Sequence, residues 1–292
     1  MMGYETHKQT MTLNDTGTRS LSISLAPNVY SVKGVTIEGN RSAWKKRLDR
    51  FEEEFLGDVP EANDCRLENP EVLSFEETGK KFTAYAKGSL RMINKALGYE
   101  VIFHLNRFEV RPNRNTRYGT VAFRELEPED DRQHEAWLEA RRRAYVGSFR
   151  HLVHALLQDE VESDGFRLRL VDRIGRVDYE AARRNEVDAQ RLIEPGKSEF
   201  LVQFGLPDGK RFLRVVFLKE YEHPAFVRQY SSPGQSAGPQ TSWIEVYGRT
   251  VLLDRRTGDN IAPFIVVKHG YMGWSETAAT ALPRDYQPRS FQ

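Results

Sequence analysis

From residue 65 onward the sequence returns repeatedly to short runs in which apolar and polar residues alternate, and any fold of the chain has to satisfy this period of two. Within residues 65–123 the runs are "VLSFEET", "KFTAYAKG", "LRMINKALGYEVIFHLNRFEVRP" and "RYGTVAFREL", broken by Gly, Asn and Pro. Successive strand residues point to opposite faces, so each run turns one face to a core and the other to water. Short runs divided by turn formers predict an antiparallel meander. Beyond "ESDG" the pattern resumes in "FRLRLVDRI", "SEFLVQFGLP", "RFLRVVFLKEY", "SWIEVYGRTVLLD" and "APFIVVKHGY". Residues 231–242, "SSPGQSAGPQTS", read as a surface loop between strands, and residues 178–194 leave room for a short helix.

Two stretches break the β pattern. In residues 41–56 Trp44, Leu48, Phe51 and Phe55 fall at i, i+4, i+7 and i+11, one apolar stripe of a helix that Gly57 stops. The rest of that helix interleaves charge, with Lys45 and Asp49, and Arg50 and Glu54, at i, i+4 spacing. Such signs cancel and describe a solvated face, whereas a helix built for nucleic acid would segregate its basic residues. Pro128 opens a second helical stretch over 129–160 with the stripe Leu138, Tyr145, Phe149, Leu152 and Leu156, which Gly147 and Ser148 bend or divide.

Residues 10–38 alternate too, in "SLSISL" and "VKGVTIEG", but two or three strands cannot close a sandwich, which needs two packed sheets. The fold class that follows is α+β, mainly antiparallel β with two long amphipathic helices, and with the remnant of a β-sandwich at the N-terminus. The division expected is 1–38 for the last strands of that sandwich, 39–288 for a β-rich body and 289–292 for a tail.

Composition narrows the partners. Lys and Arg number 43 against 42 Asp and Glu, so the net charge of +1 supplies no field to gather polyanions, and no nucleic acid is expected as a partner. No apolar run approaches the roughly 20 residues of a spanning helix, so no transmembrane segment is expected. Cys65 is the one cysteine, which rules out an internal disulfide and a thiolate cluster. The start, "MMGYETHKQT", has no basic segment followed by an apolar one and does not read as a secretory signal.

Catalytic signals are thin. "HLVH" sets His151 and His154 at i, i+3 with Glu160, Glu162 and Asp164 downstream, but helical zinc sites use i, i+4 with a glutamate between. At i, i+3 one histidine should border the apolar stripe and the other face water. Ser148, three residues before His151, lacks the geometry of a nucleophile and base, and Cys65 has no basic partner nearby in sequence. The strand aromatics Tyr99, Phe103, Phe108, Trp243, Tyr247, Tyr271 and Trp274 fit a core or a sugar-stacking platform. No catalytic residue, metal ligand or cofactor is assigned. Trp243, Trp274 and His151 remain ligand candidates, and Trp44, Leu48, Phe51 and Phe55 are the candidates for packing between domains.

Taken in order, "WKKRLDRFEEEFLG" (44–57), "NPEVLSF" (69–75), "NKALGYEVIFHLNRFE" (94–109), "RRRAYVGSFRHLVHAL" (141–156) and "GYMGWSETAATALPRDYQP" (270–288) resemble the bacterial envelope proteins called carboxypeptidase-like regulatory domain-containing proteins. The resemblance covers about residues 32–288. It implies that the N-terminal strands close a regulatory-like β-sandwich whose earlier strands and signal peptide are missing here. It further implies a periplasmic or outer-membrane-associated location for the full-length protein and no peptidase centre. The expectation is a non-enzymatic envelope binding or assembly module for an unknown envelope protein or glycan. A metal-assisted, carboxypeptidase-like hydrolase and a carbohydrate-binding module using exposed aromatics are the alternatives.

Overall fold

A computed structural model of the chain describes residues 20, 22–24, 41–112, 114–175, 177, 187–231, 236–248, 250–261 and 266–288. The chain forms two units, Met1–Lys45 and Lys46–Gln292. In the first, residues 20 and 22–24 are exposed and lie in no strand. The other residues of the strands expected over 10–38 fall outside the described residues, and with them nearly all of the sandwich remnant assigned to 1–38. The tail 289–292 is outside them as well. The described residues are mixed α+β, mainly antiparallel, with five helices.

Helix α1 (Arg41–Leu56) buries Phe51 and Phe55, and Leu48 packs partly buried against the same core. Gly57 ends the helix at φ +76°, and a Cβ there would lie 2.5 Å from Thr277 Cγ2, so the turn and the close approach both demand glycine. The helix lies on a sheet built from β1 (Cys65–Leu67), β2 (Leu73–Thr78), β3 (Lys81–Ala86), β4 (Leu90–Asn94), β5 (Tyr99–Arg111) and β6 (Arg114–Glu125). This sheet is antiparallel but not a simple meander, since its order is β1-β4-β5-β3-β2 and β6 pairs β5 as well. Along one edge β5 holds β4 with its first half and β3 with its second, while β6 runs its whole length on the other.

A bulge makes this packing work. Phe103 and Phe108 are five residues apart, so a regular strand would aim them at opposite faces. The register of β5 against β6 shifts between Leu105 and Arg107, and the extra residue returns Phe108 to the inner face. Phe55 therefore meets both rings, at 4.9 Å from Phe103 and 5.4 Å from Phe108, while Phe51 stacks on Phe55 at 4.8 Å. Across the bulge stands Gly119, where a Cβ would fall 2.1 Å from the carbonyl oxygen of His104.

The expected helix over 129–160 is two helices, α2 (Asp131–Tyr145) and α3 (Phe149–Gln158). Gly147 breaks the path at φ +74°, and Ser148 caps α3 by accepting from the backbone N–H of His151. On α2 the buried face is Trp137, Ala140, Arg141 and Tyr145, with Leu138 only half-buried, so the stripe runs one residue off the expected line. Trp137 donates to Lys95 O at 2.7 Å, and Arg141 lies over Tyr99 while donating to Leu97 O at 2.8 Å, which docks α2 on the β4–β5 turn.

A second antiparallel sheet has the order β13-β11-β10-β7, formed by β7 (Phe166–Val171), β10 (Phe212–Tyr221), β11 (Pro239–Val246) and β13 (Val266–Gly270). The loop expected over 231–242 thus gives way to strand at Pro239. Two short helices flank this sheet, α4 (Pro224–Tyr230) and α5 (Tyr271–Ser275). A third sheet joins β8 (Ile193–Pro195), β9 (Leu201–Gly205) and β12 (Thr250–Asp254). Within residues 187–194 the helix left open by the sequence is one 3-10 turn, Ala189–Arg191. Helix α3 lies between these sheets, with Phe149 against Phe204 at 5.8 Å and His151 against Phe166 at 4.8 Å.

Phe51→Ala is expected to cost about 3–5 kcal/mol in denaturant unfolding, and Lys46→Ala, on the wet face, less than about 0.5 kcal/mol. Equal midpoints for the two variants would show that α1 is not anchored by its aromatic stripe. Deleting Asn106 should lower the midpoint less than Phe51→Ala, because it removes the extra residue and leaves Phe103 and Phe108 four apart on the inner face of a regular strand with every other β5–β6 pair kept. A drop as large as that of Phe51→Ala would show that the bulge does more than set the phase of the two rings.

Candidate binding groove

An open groove of about 1420 Å³ runs between the first and second sheets. The end of α1 and the β5–β6 hairpin supply one side, through Phe55, Phe108, Asn115 and Arg117; β11, β13, α4 and α5 supply the other, through Trp243, Lys268, His269, Phe226 and Trp274. It exceeds the roughly 300–1,000 Å³ of sites for small ligands and suits an elongated one. The aromatic side is well built: Trp274 packs on Phe226 at 5.5 Å and is stacked with His223 at 5.9 Å.

Most of the groove's charges are answered locally. Lys268 pairs with Glu276 at 2.7 Å, Arg50 with Glu77 at 2.8 Å and Arg111 with Glu109 at 2.6 Å. Asn115 donates to Glu54 at 2.8 Å. Glu222 is largely buried, and burial raises its carboxyl above the usual carboxylate range against the backbone N–H of Gly238. Arg117 differs from these. Among the described residues its guanidinium makes neither a hydrogen bond nor an ion pair, and it sits 5.3 Å from the Phe103 ring and 5.9 Å from the Phe55 ring. Protein surrounds it, and lost hydration pulls its pKa down to about 10, yet the side chain stays open to solvent through the groove. It is charged at neutral pH and can reach a ligand.

Arg117 owes this place to register. It is paired with Phe108, so it stands on the inner face of β6, where Val121 and Phe123 pair with Phe103 and Val101. The inner face is apolar at one end of β6 and becomes Arg117 and Asn115 where the groove opens. Alternation in "RYGTVAFREL" already sets Arg117 on the face of Val121 and Phe123; what the sequence does not show is that this face opens into a groove at the Arg117 end.

Of the ligand candidates read from sequence, Trp243 and Trp274 both line this groove, Trp243 half-buried and Trp274 buried. Tyr271 packs against Trp274 at 5.4 Å, Tyr247 is exposed, and Tyr99, Phe103 and Phe108 are core residues. Of the packing candidates, Phe51, Phe55 and Leu48 lie in the second unit and Trp44 in the first. Cys65 is half-buried and donates to Glu61 O, and burial pushes its thiol up to about 12, which makes it unreactive.

His151 lies elsewhere, and its surroundings correct the expectation that one histidine of the pair faces water. Both are buried, His151 against Phe166 and Phe217 and His154 against Tyr145. The backbone N–H of Gly147 donates to His151 Nδ1 at 3.1 Å, so that nitrogen carries no hydrogen and Nε2–H turns to Asp164 Oδ2 at 3.4 Å. Tyr145 OH meets His154 Nδ1 at 2.7 Å. Burial, then the charge of Lys219, then His154, pulls His151 down to about 4, and burial with the nearby Arg150 charge lowers His154 too. The pair is neutral at pH 7, and the Nδ1 of each ring is taken by a neighbour. Among the described residues no three His, Cys, Asp or Glu side chains gather as a metal-binding group, and no helix is long and apolar enough to cross a membrane.

The buried histidine has a consequence in acid. Its ordinary pKa is 6.5 and its folded value about 4, so unfolding takes up a proton between these values. Stability is complete above pH 6.5 and falls as the pH drops towards 4, by up to roughly 3 kcal/mol from this residue. Urea midpoints of the wild type and His151→Gln, followed from pH 7 to pH 4, should show a flatter decline in the variant. Asp164, raised by burial, works in the opposite sense and is present in both chains. Parallel declines would remove His151 as the source.

No family model, curated protein or solved structure matches this chain.

Proposed function

We propose that the chain is a non-enzymatic binding module whose ligand lies in the groove between the first two sheets. The observation that carries this reading is Arg117, a charged guanidinium with no hydrogen bond or ion pair among the described residues, beside two aromatic rings at the edge of an open groove. Arg117 is exposed, so a ligand carboxylate or phosphate can take it in bidentate hydrogen bonds without breaking an ion pair of the described residues. The envelope setting implied by the family resemblance is consistent with such a module, with protein or glycan as the partner class. Trp243, half-buried on the facing side, favours a glycan as the second reading, since an accessible indole face stacks on sugar rings.

The test is to screen a glycan array and a displayed peptide library against the purified chain and against Arg117→Glu, with melting temperatures recorded for both. The expected result is a ligand held by the wild type and lost by an equally stable Arg117→Glu, and recovered unchanged by mass spectrometry. Ligands indifferent to the substitution would place binding outside the groove, and a chemically altered ligand would overturn the non-enzymatic reading.

A further inference from the structure

From the same groove, and resting on the reading of it as a binding site, we infer that the occupant is an extended acidic polypeptide segment of another protein that adds as a strand to the free edge of β6, with an Asp or Glu paired to Arg117. Three observations converge on it. First, β6 spans Arg114–Glu125 and pairs with β5 and no other strand among the described residues. An edge of that length displays a row of backbone donors and acceptors, the template used by proteins that bind peptides by strand addition. Second, the part of β6 that lines the groove, residues 115–118, is the part whose inner face has become polar.

Third, the charge in that stretch is unanswered. Arg117 and Lys80, which also lines the groove, have no ion-pair partner among the described residues, whereas Lys268, Arg50 and Arg111 each do. A residue of the incoming strand directly opposite Arg117 would share its face, with Cβ atoms about 4.5–5.5 Å apart. An Asp or Glu there would pair with the guanidinium. An apolar residue would bury it without compensation, so Arg117 both repels an ordinary hydrophobic strand and selects an acidic one. Residues two on either side in the ligand would oppose Asn115 and Gly119, where small or apolar side chains fit beside Phe103.

Random dodecapeptides displayed on phage and selected against the full chain provide the probe, and synthetic copies of the winners can be titrated by tryptophan fluorescence. Expected are winners carrying Asp or Glu whose affinity falls on the order of tenfold or more in Arg117→Gln and, separately, when alternate backbone amides of the peptide are N-methylated. The N-methyl peptides change only the ligand, so the fold of the protein cannot account for that loss. N-methylated peptides that bind undiminished would overturn strand addition, and so would a failure to select any peptide. Polygalacturonate oligomers that bind in an Arg117-dependent manner while no peptide does would overturn the peptide assignment and leave the groove reading standing. If neither binds, both readings fall. Self-association of Arg117→Gln with undiminished peptide affinity would assign the arginine to guarding the edge against other copies, and would overturn its role as anchor.

Discussion

The contact of Phe55 with both Phe103 and Phe108 is the interaction on which the rest of the second unit depends, and it exists only because β5 carries one residue too many. Without the bulge one ring would leave the core and α1 would have half a surface to lie on. With it, β5 turns far enough to hold β4 and β3 in succession along a single edge. Gly119 is the complement of that bulge, since only a residue without a Cβ tolerates the His104 carbonyl at that approach. The C-terminal segment is then fixed to the end of α1, where Ala278 N–H donates to Phe55 O and Thr277 fits over Gly57.

The outer face of the same sheet is organised by charge. Glu100 and Glu109 are almost wholly covered, yet by arginine and lysine side chains at the surface and not by a core. Hydrogen bonds from Arg124 and Arg91 hold Glu100 below the usual carboxylate range. For Glu109, burial works to raise the carboxyl, and the bonds from Arg111 and Lys81 outweigh it. Carboxylates so clamped tie neighbouring strands together across the ladder: β4 and β6 are joined through Glu100 of β5. This network uses up most of the basic residues of the region, which is why an arginine outside it stands out.

The fold class was legible because alternation and helical stripes are local. Phe51 and Phe55 announced their helix, and Gly147 with Ser148 announced the break between α2 and α3. What was not legible needed knowledge of partners. The sequence "FHLNRF" puts two phenylalanines out of phase, and nothing local says whether a bulge will bring them back. Leu138 and Trp137 compete for one inward position, and the indole won because its N–H finds Lys95 O. His151 and His154 fit a half-wet pair at i, i+3 until α3 is seen between two sheets, with both of its sides covered. The two tryptophans named from sequence line the groove with Arg117, whose inward face follows from alternation but whose exposure needs the second sheet across from it to be seen.

The bulge thus links stability to recognition through a single register. By resetting alternation in β5 it brings Phe108 onto the face that Asn115, Arg117, Val121 and Phe123 share through the regular alternation of β6. On one side of Gly119 the inward residues are Val121 and Phe123, which feed the core. On the other they are Arg117 and Asn115, and there the core gives way to the groove. A regular β5 would leave Arg117 on this face but would set Arg107 opposite it in place of Phe108. A slip of one residue in β6 would turn Arg117 out only by turning Val121 and Phe123 out with it, so the packing of the core keeps the guanidinium at the groove. That placement bears on function more directly than any composition or motif in the chain, because it falls on the edge strand of a sheet, in a groove large enough for an extended ligand.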